Sequence, residues 1–253
     1  MKTISRFASI LAAFTLLLSS GSVYAGTAPA PQDPSAVALI QKVLNSNGLS
    51  SPGLLKDFNA TGDVHHYWAG KDVVDSAQIY ALGSDKFRFD STGSTNESSR
   101  VAGMHGQLQT GQNVETVPAT AFVITVNPIL PVLELANAVG DNNTRIDYMQ
   151  TGQATTAAIA LQRTHQDFPD FVSFRKVYVI DRASLTIVQT IETVAFSTQD
   201  QISRKYLYGN FNTVQGITVP LAISEYVSGQ NTWTLHLTNI AFNIGVSSDL
   251  FAF

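Results

Sequence analysis

The chain has 253 residues, a formal charge of −4 and no cysteine, and only 13% of its residues are charged. Phosphate contacts need clustered Lys and Arg, and no such cluster stands out, which argues against nucleic acid as a partner. Without disulfides, an ordinary hydrophobic core has to hold the fold together.

The first 25 residues read as a secretory signal peptide. Lys2 and Arg6 give a positive start, Ile10 to Leu18 is a short apolar core, and Val23-Tyr24-Ala25 is a small-residue cleavage site. Gly26 stands where a lipid anchor requires cysteine, so the expectation is an exported soluble protein and not a lipoprotein. It is placed in the periplasm, with secretion beyond it left open. Removing Lys2 and Arg6 takes the formal charge from −4 to −6. The stretch from Gly26 to Pro34, GTAPAPQDP, reads as a flexible Pro/Ala leader.

Ser35 opens a helical stretch, SAVALIQKVLNSNG, with Val37, Ile40 and Leu44 on one face and Asn47-Gly48 as its stop. From Phe58 the period changes to two. DFNATGDVHHYW sets Phe58, Ala60, Val64, His66 and Trp68 on one side and Asn59, Thr61, Asp63, His65 and Tyr67 on the other. After a turn at Ala69 to Asp72, SAQIYAL returns with Ala77, Ile79 and Ala81 in phase. After Gly83-Ser84-Asp85, KFRFD points Phe87 and Phe89 inward and Arg88 outward. Three strands joined by short turns make an antiparallel meander, apolar on one side. Ser91 to Ser99 reads as a polar loop, followed by a weaker strand pair around Arg100 to Val114.

The middle of the chain, TAFVITVNPILPVLELANAVGD, is apolar but broken by Pro128 and Pro131 and interrupted by Asn127 and Glu134, so it is not a membrane span. Pro131 starts a short, mostly apolar helix. That helix is either a core element packed on the sheet or, more sharply, a lid over a cavity, with Ile129, Leu130, Val132, Leu133 and Leu135 as its apolar residues. Strands then return: TAAIALQR with Ala157, Ile159 and Leu161 in phase, FVSFRKVYVID, LTIVQTIETVAF, SRKYLYGNF, GITVPLAISEYV and a closing strand. The pattern predicts one α+β domain over residues 35–253, mainly β.

The sequence offers little chemistry. It has no G-x-S-x-G elbow, no Walker loop and no H-E-x-x-H. His65 and His66 are neighbours on a strand and face opposite ways, so they do not chelate one ion. His105, His165 and His236 are scattered. Asp141-Asn142-Asn143 through Asp147 lacks the glycine and the downstream glutamate of a calcium loop and reads as a solvated turn. The carboxylates form no acid pair. No catalytic residue, metal or cofactor is assigned.

The closing stretch, GQNTWTLHLTNIAFNIGVSSDLFAF, alternates with one slip. Trp233, Leu235 and Leu237 share a face, and after Thr238-Asn239 the apolar phase moves to Ile240 and Phe242, as a β-bulge produces. Phe251 and Phe253 are spaced for one inner face and are expected to close the end of the core.

This tail, with TWTLHLTNI, Phe242-Asn243 and Val246-Ser247 to Phe251, resembles the end of outer-membrane lipoprotein-sorting proteins, the LolA/LolB-like superfamily. KFRFD, KVYVIDRASLTIVQ and GITVPLAISEY resemble its segments in the same order, so the resemblance covers most of Leu54 to Phe253. It implies an incomplete (half) antiparallel β-barrel of about 9–11 strands, with two or three helices covering an apolar concave face. It also implies an apolar cavity, here assigned to Phe58, Val64, Trp68, Ile79, Phe87, Phe89, Ile159, Leu161, Trp233, Leu235 and Leu237. Lipoprotein carriers have Arg-Pro where Gly83-Ser84 stand, and Phe-x-Gln near the first strand where DFNATGDV stands. The expectation is therefore a monomeric, non-catalytic periplasmic binding or carrier protein for a lipid, lipoprotein acyl chains or another apolar ligand. The alternative is an envelope regulatory or scaffold module that docks a membrane protein, and a secreted hydrolase ranks below both.

Overall fold

The computed structural model describes residues 30–50, 52–68, 70–83, 85–102, 105–118, 129–163, 173–195 and 201–253. The signal peptide expected over residues 1–25, the apolar stretch 119–128 and His165 lie outside the described residues, as do the side chains of Trp68 and His105.

The meander expected after Phe58 runs through six strands: β1 (Asp57–Trp68), β2 (Lys71–Leu82), β3 (Lys86–Thr92), β4 (Glu97–Ala102), β5 (His105–Thr110) and β6 (Asn113–Pro118). A second series follows: β7 (Thr144–Met149), β8 (Thr156–Arg163), β9 (Ser173–Asp181), β10 (Ile187–Ala195), β11 (Gln201–Val214), β12 (Ile217–Val227) and β13 (Gln230–Phe242). All thirteen belong to one antiparallel sheet in the order β6-β5-β4-β3-β2-β1-β13-β12-β11-β10-β9-β8-β7. The chain starts in the middle of the sheet, walks out to one edge, crosses to the other edge and walks back to pair its last strand with its first. The sheet is open, not closed into a barrel, which is the half-barrel form the sequence implied. It has more strands than the 9–11 expected. Glu97 to Arg100, polar in both phases, pairs as β4 within what read as loop and strand pair. The acidic turn after Asp141 also passes into a strand, TRIDYM, whose Thr144 and Ile146 are buried.

Two α-helices, α1 (Pro34–Ser46) and α2 (Pro131–Ala138), lie on the concave side among the described residues. The start of α1 is set by Asp33, whose carboxylate accepts from Ser35 N at 2.7 Å, with Pro34 in the first turn. Ala36, Ile40, Val43 and Leu44 are its buried face; Val37 is half-buried. Asn47 ends it by donating from its amide to Val43 O and to Leu185 O, and Thr218 N donates to Asn47 O. Gly48 has a positive φ, and a Cβ there would stand 1.9 Å from Gly216 O, so the turn admits only glycine. Of the leader expected to be flexible, residues 30–34 are held against β7. Ala30 N donates to Asn142 O, Ile146 N to Pro31 O and Asp33 N to Ile146 O, and Gln32 forms a parallel bridge with Ile146.

The phase slip in the closing strand is a bulge. Between Thr61↔Asn239 and Gly62↔Leu237 the register of β1 and β13 shifts, leaving Thr238 as the extra residue. At this point the two backbones approach so closely that a Cβ on Gly62 would meet His236 O at 2.1 Å. Just past β13, Asn243 ties the strand ends together: its side chain accepts from Lys56 N and donates to Leu54 O, while Ile244 N donates to Asp57 Oδ1.

The tail beyond differs from expectation. Phe251 is 2% exposed, but Phe253 is 56% exposed. The 3-10 turn Ser248–Phe251 does not close the concave face. Arg88 and Arg100, opposite each other on β3 and β4 and alternating with the inward Phe87 and Val101, donate to Leu250 O and Ala252 O, which puts the tail on the convex face. The outward arginines supply the donors that the free carbonyls of a terminal turn lack, so Phe251 finds cover on the outer side.

Gly62→Ala is expected to destabilise the protein by about 2–3 kcal/mol through overpacking at the bulge, read as a lower urea midpoint. Phe251→Ala is expected to cost about 3 kcal/mol or more in the same assay. Phe253→Ala should stay within about 0.5 kcal/mol; equal effects of the two would show the tail to be free or wholly buried.

Candidate binding face

The apolar residues assigned from the sequence come together on the concave face. Phe58, Val64, Ile79, Phe87, Ile159, Leu161, Leu235 and Leu237 are buried in one contiguous cluster, with Phe89 and Trp233 half-buried against it. Phe58 and Phe242 meet edge to face at 6.3 Å between ring centres. Trp68 ends β1 opposite Lys71, and its side chain is outside the description. The helix α2 packs directly into this face. Ile129, Leu130, Val132 and Leu135 are buried in the same cluster, and Leu133 is partly buried against it. At the start of α2 a shallow crevice of about 10 Å³, room for about one water, lies between the helix and the sheet, beside Leu130, Val132, Ile187, Phe211 and Pro220.

The other half of the concave face is polar, and the sequence reading missed it. Lys176 on β9, Glu192 on β10 and Arg204 on β11 are direct cross-strand neighbours in one row. Lys176, 4% exposed, places its Nζ 2.6 Å from Glu192 Oε1 and 2.7 Å from Glu134 Oε2 on α2. A second row runs Tyr178–Thr190–Tyr206–Glu225–Trp233–His66 across six strands. Within it Tyr206 donates to Glu225 Oε1 at 3.0 Å, and Thr232 donates to Glu225 Oε2 at 2.5 Å. Thr190 and Tyr208 share a hydrogen bond at 3.1 Å, and the Tyr206 and Trp233 rings are 6.0 Å apart. The signal was present in the sequence: three successive strands each carry a charged residue in the phase of their buried aromatics and aliphatics, as in F-R-K-V-Y with Phe174, Lys176 and Tyr178.

Burial and pairing set opposite protonation tendencies on the two carboxylates that share Lys176. Burial pushes Glu192 up to about 7 against the pull of Lys176. For Glu134, burial also acts upward, but Lys176, Arg163 and its hydrogen bonds together hold it below the ordinary value. Lys176 itself is driven well above its usual value, since Glu134 and Glu192 outweigh its burial. One ammonium cannot fully compensate two carboxylates in a dry site, and Glu192 is the one left short.

His65 and His66 face apart, as alternation requires: His66 joins the concave row beside Trp233, and His65 lies on the convex side. His65 Nδ1 lies 3.0 Å from the Asp72 carboxylate, and its ring is 5.5 Å from that of His236. Among the described residues no group of three or more His, Asp or Glu is placed to hold a metal. Also among them, no helix is long and apolar enough to cross a membrane. Asp75, buried in β2, serves the turn after β3, accepting from Ser94 N, Thr95 N and the hydroxyls of Ser91 and Thr95.

No family model matches this sequence, and no curated protein matches it. Solved structures do match its fold. A domain described as outer membrane lipoprotein-sorting from Vibrio parahaemolyticus superposes with a TM-score of 0.59 at 9% identity, covering 86% of this chain and 96% of that one. A DUF1329 family protein from Desulfovibrio piger gives 0.59 at 11% identity, covering 89% and 98%. A LolA superfamily protein from Nitrosomonas europaea gives 0.54 at 11% identity, covering 85% and 97%. The chain therefore has the LolA-like fold: an open antiparallel sheet wrapped over helices.

Glu192 binds its proton more tightly folded than unfolded, so its contribution to stability is fully present below about pH 4.5 and is lost as pH rises through about 7. Glu192→Gln removes that loss. Urea midpoints of wild type and variant, compared at about pH 5 and about pH 8, should shift in favour of the variant at the higher pH; a constant difference would show that Glu192 is ionised throughout.

Proposed function

We propose that this chain is a non-catalytic binding or carrier protein of the bacterial periplasm that holds a lipid, lipoprotein acyl chains or another apolar ligand on its concave face. The observation that carries the reading is the face itself. An apolar surface from β1, β2, β3 and β13 continues in one buried cluster with the residues of α2, a helix of only eight residues whose start borders a shallow crevice against β10, β11 and β12. A sheet face of this extent must be covered by apolar groups, and an acyl chain can replace the aliphatic side chains of a short helix nearly group for group. The LolA-like fold supports the same reading, because one neighbour with this fold is described as lipoprotein-sorting. The signal-peptide pattern of residues 1–25 supports export.

Phe89 and Trp233 are the half-buried aromatic members of the face, so their removal spares the fully buried core. The double variant Phe89→Ala, Trp233→Ala is expected to bind an uncharged, environment-sensitive alkyl dye roughly tenfold more weakly than wild type, or about 1.4 kcal/mol. Undiminished binding by a variant that still folds would sink the concave-face assignment.

A further inference from the structure

The charged row beside the apolar surface calls for its own account. Ionic groups taken out of water cost several kcal/mol each unless they are fully paired, and a hydrophobic residue in the same place is often as stable. Here three adjacent strands each direct one into the concave face. The pairing is also incomplete. Arg204 Nε is buried with no hydrogen-bond partner among the described residues, and the ion pair of Arg204 with Glu225 spans 3.9 Å. Glu225 is already engaged by Tyr206 and Thr232.

The compensating charge for Lys176 is divided unequally between fixed and movable parts. Glu192 stands on the sheet, whereas Glu134 belongs to α2 and enters or leaves with that helix. With Glu134 withdrawn, the buried Lys176 ammonium loses one of the two carboxylates it holds, and Arg204 Nε in the same row has no hydrogen-bond partner among the described residues, so an anionic head in that place meets two donors. The tail of such a ligand has somewhere to go: β10 is four strand spacings from β1, about 19 Å along the face, and β1 begins the apolar half.

We infer that the ligand is an amphiphile with an anionic head, a carboxylate or a phosphate, which pairs with Lys176 and Arg204 in exchange for Glu134 while its tail lies over Phe58, Ile79 and Leu235. This rests on the apolar-carrier reading above and adds the head group to it. Planar guanidinium and ammonium together suit an anion with several acceptor oxygens. The Glu134–Lys176 pair then acts as the latch of α2, whose loss an anionic head offsets and a neutral head does not.

The test uses the full mature chain, stripped of bound lipid, titrated with palmitate, hexadecyl phosphate and hexadecanol. The three share a tail and differ in head. Wild type is expected to bind at least one of the two anions about tenfold more tightly than the alcohol, and which anion it prefers identifies the head. Lys176→Gln and Arg204→Gln should each collapse that anion-to-alcohol ratio severalfold. The ratio is the readout because loosening α2 tightens all three ligands alike. Glu134→Gln, an isosteric change, is expected to tighten all three and leave the ratio as in wild type. Equal binding of all three by the wild type overturns the head-group inference while keeping the apolar site. A ratio that falls in Glu134→Gln overturns the exchange. Failure of all three to bind overturns the carrier reading along with it.

Discussion

The fold depends on the pairing of β1 with β13. Each meander is built of neighbours in sequence, but neither half buries the concave surface alone. Only when the first strand lies along the last does one sheet exist for α1 and α2 to pack on. The junction is specified in detail. Gly62 permits the close approach, Thr238 takes up the extra residue, and Asn243 and Asp57 fasten the strand ends. The bulge also bends the sheet at its centre, which is what gives it a concave side.

That concave side has two characters set by which strands supply it. The half from β1, β2, β3 and β13 is lined by Phe, Ile, Leu and Val and tolerates any apolar filling. The half from β9, β10 and β11 carries paired charges and tyrosines, and such a surface is selective because each buried donor or acceptor left unmatched is costly. Helix α2 belongs to both, since Leu135 is buried in the same cluster as the apolar residues and Glu134 pairs with Lys176. Its partner α1 is different in kind: Asn47 and Gly48 bind its end to the β9–β10 and β11–β12 turns, so it is fixed scaffold.

Much of this was legible in the residues. Period-two alternation gave the strands from Phe58 to Phe89 and their inward faces, and a single break in that alternation located the bulge at Thr238. The apolar members of the face followed from the same phase. The rest was hidden for physical reasons. A strand as polar as Glu97 to Ala102 is stabilised by neighbours on both sides, not by its own pattern. Lys176, Glu192 and Arg204 each look like surface residues singly, and only the register shows that they form one row. The tail misled because apolar spacing says that Phe251 is buried but not on which side of a sheet; Arg88 and Arg100 decided that.

The central pairing also fixes an order of assembly. Thr61 and Thr238, which meet across it, are 177 residues apart in sequence. Hairpins such as β2–β3 or β11–β12 close small loops and form early, while β1 must wait for the last strand to be made. Until then two incomplete sheets coexist, each with an inner strand edge unpaired and its apolar face uncovered. A chain arranged in this way finishes folding only after its final strand is free, so premature closure around the wrong contents is prevented by topology.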